Sequence, residues 1–134
     1  MKYMLLMQFS AEQQSEFPPL DTWSPDEVKA HIAFMGETNA TLRKNGEFVD
    51  AQGLAMPDTA RIVRAHGKDA PVITEGPFPE TKEFLAGYWI VDCASDERAV
   101  ELAAHVSTAP GRGGRPLNMP IELRQVMSGP PEDL

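Results

Sequence analysis

Cysteine is nearly absent: Cys93 is the only one in 134 residues. One chain can therefore build neither an internal disulfide nor a cysteine-cage zinc site, and a reducing, cytoplasmic compartment is expected. No apolar run approaches the roughly 20 residues of a membrane-spanning helix. The opening Met1–Phe9 stretch is too short and no A-x-A-like cleavage site closes it, so it reads as a strand. Positive charge is scarce, with 12 Lys and Arg against 20 Asp and Glu and a formal net charge of -8. Such a field repels phosphate backbones and anionic head groups, which argues against nucleic acid and membrane surfaces as partners. Three scattered histidines, His31, His66 and His105, have no i, i+4 histidine partner, so no metal site is expected. The glycine-rich Pro110–Pro116 stretch fits neither a phosphate-binding loop nor a dinucleotide turn, and reads as a flexible basic loop around Arg112 and Arg115.

The chain does have the composition of one globular domain, 42% hydrophobic and 24% charged. We place that domain at residues 1–128, with 129–134 as a flexible tail. Residues 2–9 are apolar at nearly every position, as in a strand covered on both faces. Residues 10–24 carry Pro18-Pro19 and form an irregular connection pinned by Phe17, Leu20 and Trp23. Ser24-Pro25-Asp26-Glu27 joins a capping hydroxyl, a first-turn proline and a capping-box glutamate, and predicts a helix from Pro25 to Lys44. Its apolar stripe would be Val28, Ile32, Met35 and Leu42, with Asn39 inside it, and Asn45-Gly46 supplies the stop.

A short strand at 47–50 follows, then a turn to Asp58. The runs 59–65 and 71–74 flank His66-Gly67-Lys68-Asp69 and predict a small hairpin. Residues 75–83 form a proline-bracketed loop, and 84–92 is a central strand whose Tyr88 and Trp89 point to opposite faces. Ser95 caps a second helix with Ala99, Leu102, Ala103 and Val106 inward. Residues 119–127 alternate, with Met119, Ile121, Leu123 and Met127 on the buried side. Two helices among these strands cannot cover both faces of a sheet. The order predicts an α+β fold, a ferredoxin-like βαββαβ subunit with an extra small hairpin and both helices on one face. The bare face, apolar in strands 2–9 and 84–92, is expected to bury itself against a second copy.

The run Thr74-Glu75-Gly76-Pro77-Phe78-Pro79-Glu80-Thr81-Lys82-Glu83-Phe84-Leu85-Ala86-Gly87-Tyr88-Trp89-Ile90-Val91 resembles the DGPF branch of the YCII-related family. Met1–Leu6 and Pro120–Met127 are similar to that family's first and last strands. The resemblance implies a dimeric α+β barrel with a cleft in each subunit. Some relatives accompany extracytoplasmic-function sigma factors, and one YCII-type relative acts on a chlorinated lactone; the fold therefore says little about the chemistry. Glu75 stands where the family has an aspartate, which keeps the carboxylate one methylene further out. His31 matches the helix histidine of YCII-type relatives. The helix end Arg43-Lys44-Asn45-Gly46 lacks the acid that those relatives pair with it, so that dyad does not carry over whole.

His31 and Glu75 are accordingly the candidate catalytic pair. An imidazole at the edge of a buried face can be fixed in one tautomer and act as a base, or it can simply bond to backbone. A carboxylate on a rigid turn can orient or exchange a proton, or it can merely accept loop N–H bonds. Phe78, Tyr88 and Lys82 are the candidate ligand-binding residues. Phe78 also reads as a plug seating its loop, and Lys82 as part of a solvated charged edge. Cys93 reads as a small buried hydrophobe. Nothing around His31 resembles a haem site, and no cofactor is expected. The resulting expectation is a homodimer that binds a small molecule and performs lyase, isomerase or dehalogenase-like acid/base chemistry on an organic acid or lactone. The competing expectation is a non-catalytic accessory domain partnering a sigma-factor-type transcription regulator.

Overall fold

The computed structural model describes residues 1–10, 23–55, 59–75 and 83–127. Its elements in order are β1 (Lys2–Ser10), α1 (Pro25–Lys44), β2 (Phe48–Gly53), β3 (Arg61–His66), β4 (Asp69–Glu75), β5 (Glu83–Asp92), α2 (Asp96–Ser107) and β6 (Ile121–Gln125). Strands β2, β5, β1 and β6 form one antiparallel sheet in that order, and β3 and β4 form a separate hairpin. This is the expected ferredoxin-like α+β arrangement with its extra hairpin.

The apolar run of β1 is legible as an inner strand because it is hydrogen-bonded on both edges, to β5 and β6. Its side chains alternate between faces. Tyr3, Leu5 and Met7 join Trp89 and Val91 from β5, and the two helices cover them with Leu42, Ala99, Leu102 and Val106. Leu6, on the other face, is also buried, while Met4, Tyr88 and Ile90 there are half-buried. Tyr88 and Trp89 thus point to opposite faces, Trp89 into the core. Opposite Met7, the sheet comes so close that β5 must carry Gly87: a Cβ there would lie 2.5 Å from Met7 Cε and 2.9 Å from the Gln52 carbonyl oxygen.

α1 starts and stops on local signals. The Ser24 hydroxyl accepts from Glu27 N–H at 3.2 Å, and the Glu27 carboxylate accepts from Ser24 N–H at 2.8 Å. At the other end Gly46 adopts φ 72°, while Gly46 N–H and Glu47 N–H donate back to the Arg43 and Leu42 carbonyls. Removing the capping hydroxyl with Ser24→Ala is expected to cost about 1 kcal/mol, read from the urea denaturation midpoint.

Four expectations need correction. Ile32 is 61% exposed, so the buried stripe of α1 runs instead through His31, Met35, Thr38 and Leu42. The helix is rotated because His31 and Thr38 find hydrogen-bond partners inside the fold. Met127 is 68% exposed because β6 ends at Gln125, whereas Met119, just before that strand, is in the core at 2%. Glu75 is the last residue of β4, not part of the loop. The glycine-rich stretch is a bonded turn, as described below. Trp23 is buried as expected; Phe17 and Leu20 lie outside the described residues.

Candidate functional site

The first turn of α1 and the segment after α2 build one structure between them. In that segment Pro110 and Pro116 form an antiparallel bridge, Gly111 N–H donates to the Arg115 carbonyl at 2.8 Å, and Leu117 N–H to the Ala109 carbonyl at 2.9 Å. Gly113 and Gly114 turn the chain at φ 68° and 73°, a region that glycine enters without a Cβ clash. Gly111 is needed for a different reason: a Cβ there would lie 2.3 Å from Leu117 Cδ2. Glu27, already committed to the helix cap, uses its second oxygen to accept from Gly113 N–H, which ties the turn to the start of α1. Backbone N–H groups of Ser24 and Gly113, with Arg112 nearby, hold the Glu27 carboxyl below its ordinary range, so it stays charged.

This turn aims the Pro110 carbonyl at α1, where it lies 3.0 Å from His31 Nδ1. A carbonyl oxygen can only accept, so Nδ1 carries the proton and the neutral ring keeps its lone pair on Nε2. The Trp23 ring stands edge-on to the imidazole, with centroids 5.3 Å apart and planes at 77°. Trp23 is itself buried, and among the described residues its indole N–H has no hydrogen-bond partner. His31 is half-buried, and among the described residues nothing bonds Nε2. The arrangement is a ring fixed in position and tautomer with its basic nitrogen free.

Neither of the two other candidates that the structure describes, Tyr88 and Glu75, is bonded to His31 among the described residues. Tyr88 lies on the sheet face away from the helices, where its phenol donates to Asp50 Oδ2 at 2.9 Å and is pushed to higher pKa by that bond. Glu75 is exposed at the end of the hairpin, its backbone paired with that of Arg61, and among the described residues no hydrogen bond or ion pair joins it to His31. Phe78 and Lys82 lie outside the described residues.

Two hollows were not read from the sequence. A cavity of about 350 Å³ opens between the helices, lined by residues that include Phe34, Thr38, Leu42, Arg98 and His105. There the His105 ring stacks on Phe34 at 4.8 Å, and its Nε2 meets the Thr38 hydroxyl at 3.1 Å. Arg98 reaches across to Glu47 with two nitrogens, both at 2.9 Å, and to Glu101 at 3.0 Å. A second hollow of about 360 Å³ lies behind Arg98 beside Asp92 and Cys93. Burial pushes the Cys93 thiol up, keeping it protonated, and its S–H donates to the Ser95 carbonyl at 3.5 Å. Among the described residues no group of three or more His, Cys, Asp or Glu is placed to hold a metal ion, and no helix is long and apolar enough to cross a membrane.

No sequence signal joins Glu27 to glycines 86 residues away, and only the fold shows that the two segments meet. The profile of the YCII-related domain matches residues 1–111. An uncharacterized protein of Rhizobium meliloti (strain 1021) is 35% identical over 92 residues, a stretch that covers 65% of this chain and 69% of that protein.

Proposed function

The chain belongs to the YCII-related domain family, and from that premise we propose that it is a homodimer that binds a small organic acid or lactone, with His31 as its proton acceptor. The observation that supports this reading is the bond from His31 Nδ1 to the Pro110 carbonyl, because it leaves Nε2 as the basic atom of a ring that cannot swing away. In the reaction, Nε2 takes a proton from a carbon or hydroxyl next to the substrate carbonyl. The imidazolium that forms keeps its Nδ1–H bonded to Pro110, and the same nitrogen returns the proton to the product. This is the proton bookkeeping of an isomerase or a lyase; in a dehalogenase-like step the halide leaves as the proton is removed, and the imidazolium then gives that proton to water instead of to the product. Phe78 and Lys82 keep the ligand-binding role read from the sequence, whereas Tyr88, on the far face of the sheet, and Glu75, exposed on the hairpin, are left out of the ligand contact. The half-buried apolar face of Met4, Tyr88 and Ile90 is assigned to the contact between the two copies.

The test is a thermal-shift and turnover screen of wild type against a panel of small lactones and carboxylates. A hit is expected, and His31→Ala is expected to lower its turnover by about 10²–10⁴-fold, the range of a general base. A panel that shifts nothing, or a His31→Ala protein that turns over like wild type, overturns the assignment.

A further inference from the structure

The β3–β4 hairpin stands apart from the domain. Among the described residues it shares no sheet with any other strand, and every one of its strand residues is exposed. That is unexpected for its composition. Ile62, Val63, Val72 and Ile73 are between 49% and 61% exposed, and they are the branched apolar side chains that ordinarily cover a core. The register shows why no turn of the hairpin could hide them all. Val63 pairs with Ile73 on one face, while Ile62 and Val72 sit on the other beside Thr74 and Arg64. Both faces are therefore apolar at the centre, and among the described residues neither joins the hydrophobic core. A two-stranded hairpin alone in water is marginal, even with a well-formed turn such as the one at Gly67, φ 58°. This one needs a cover.

Its charge says what kind of cover. Arg61, Arg64 and Lys68 outnumber Asp69 and Glu75, so the hairpin carries +1 in a chain of net -8, and the remainder of the chain carries -9. A weakly basic apolar limb on a strongly acidic body is complementary to another copy of that body. We propose that the hairpin is an arm that docks on a second copy of this chain, burying Val63 with Ile73 on one side and Ile62 with Val72 on the other. The proposal rests on the reading of the protein as a homodimer and adds a contact to it: the arm reaches beyond the sheet-to-sheet contact and fastens each protomer to its partner. It also places Glu75, at the base of the arm, next to the contact between protomers.

The experiment is sedimentation of the full chain, with methyl NOEs recorded on a dimer mixed from isotope-labelled and unlabelled chains. Intermolecular NOEs are expected from the Ile62 and Ile73 methyls. Val63→Lys/Ile73→Lys, exposed positions whose change leaves the far-UV spectrum of the protomer intact, is expected to weaken the dimer by about 100-fold. A wild type that sediments as a monomer overturns the homodimer and the arm with it. A dimer whose affinity the double variant does not change, or whose hairpin methyls show NOEs only within their own chain, overturns the arm and leaves the sheet-to-sheet dimer standing. Protection of the hairpin by a transcription regulator but not by a second copy overturns it as well.

Discussion

Trp89→Ala is expected to remove about 4 kcal/mol of stability, within the range for truncating a buried aromatic and a large share of the 5–15 kcal/mol that typically holds a domain together. Trp89 is only 2% exposed and ranks first by volume among the fully buried side chains. It sits on the inner strand β5 with backbone partners Leu5 on β1 and Ala51 on β2, so the void would open at the centre of the sheet. The truncation also strands a polar group. The indole N–H donates to Asn39 Oδ1 on α1 at 2.8 Å, which is why an asparagine occupies the inner side of that helix. Trp89→Phe keeps most of the volume and loses the bond, and about 1–2 kcal/mol is expected for it. Urea denaturation followed by far-UV circular dichroism measures both. Equal costs for the two variants would show that the hydrogen bond, and not the packing, dominates.

That asparagine marks where the sequence is readable and where it is not. The bounds of α1 were legible because Ser24, Pro25, Glu27 and Gly46 act on backbone within one turn of themselves. β1 and β5 were legible as inner strands from their unbroken apolar runs, and the hairpin from its β-branched strands and glycine turn. The rotation of α1 was not. It depends on His31 and Thr38, polar residues that hydrophobic periodicity sends outward, and their partners Pro110 and His105 lie 79 and 67 residues away. The glycine-rich stretch misled for a related reason: glycine announces conformational freedom, and only the fold shows that Gly113 spends it on a bond to Glu27. His31 itself was legible as a candidate. Its tautomer was not, since a backbone carbonyl sets it and backbone carbonyls carry no sequence signal.

The salt link between Glu47 and Arg98 gives the second large effect. Arg98→Met is expected to cost about 3 kcal/mol at pH 7, the low end for breaking a buried pair because the guanidinium is a third exposed and partly screened. The loss arises on the glutamate. Glu47 is nearly buried in the turn after α1, and Arg98 is what makes its charge tolerable there. Hydrogen bonds from Arg98 hold its carboxyl below the ordinary carboxylate range, and burial pulls the other way. In the wild type the link therefore contributes above the unfolded carboxylate value of about 4.3 and fades as acid protonates Glu47 through its depressed folded value. Without Arg98 only burial and a long 3.4 Å bond from Asn45 remain, so the carboxyl is raised and the sign reverses. The variant then loses stability as pH climbs through that raised value. Its deficit against wild type should accordingly be largest at neutral pH and shrink on acidification, and Glu47→Gln added to Arg98→Met should recover part of it at pH 7. Denaturation curves at neutral and mildly acidic pH decide the matter. A deficit independent of pH would mean that Arg98 acts through its packing against α1 in the helix cavity and not through the charge it holds against Glu47.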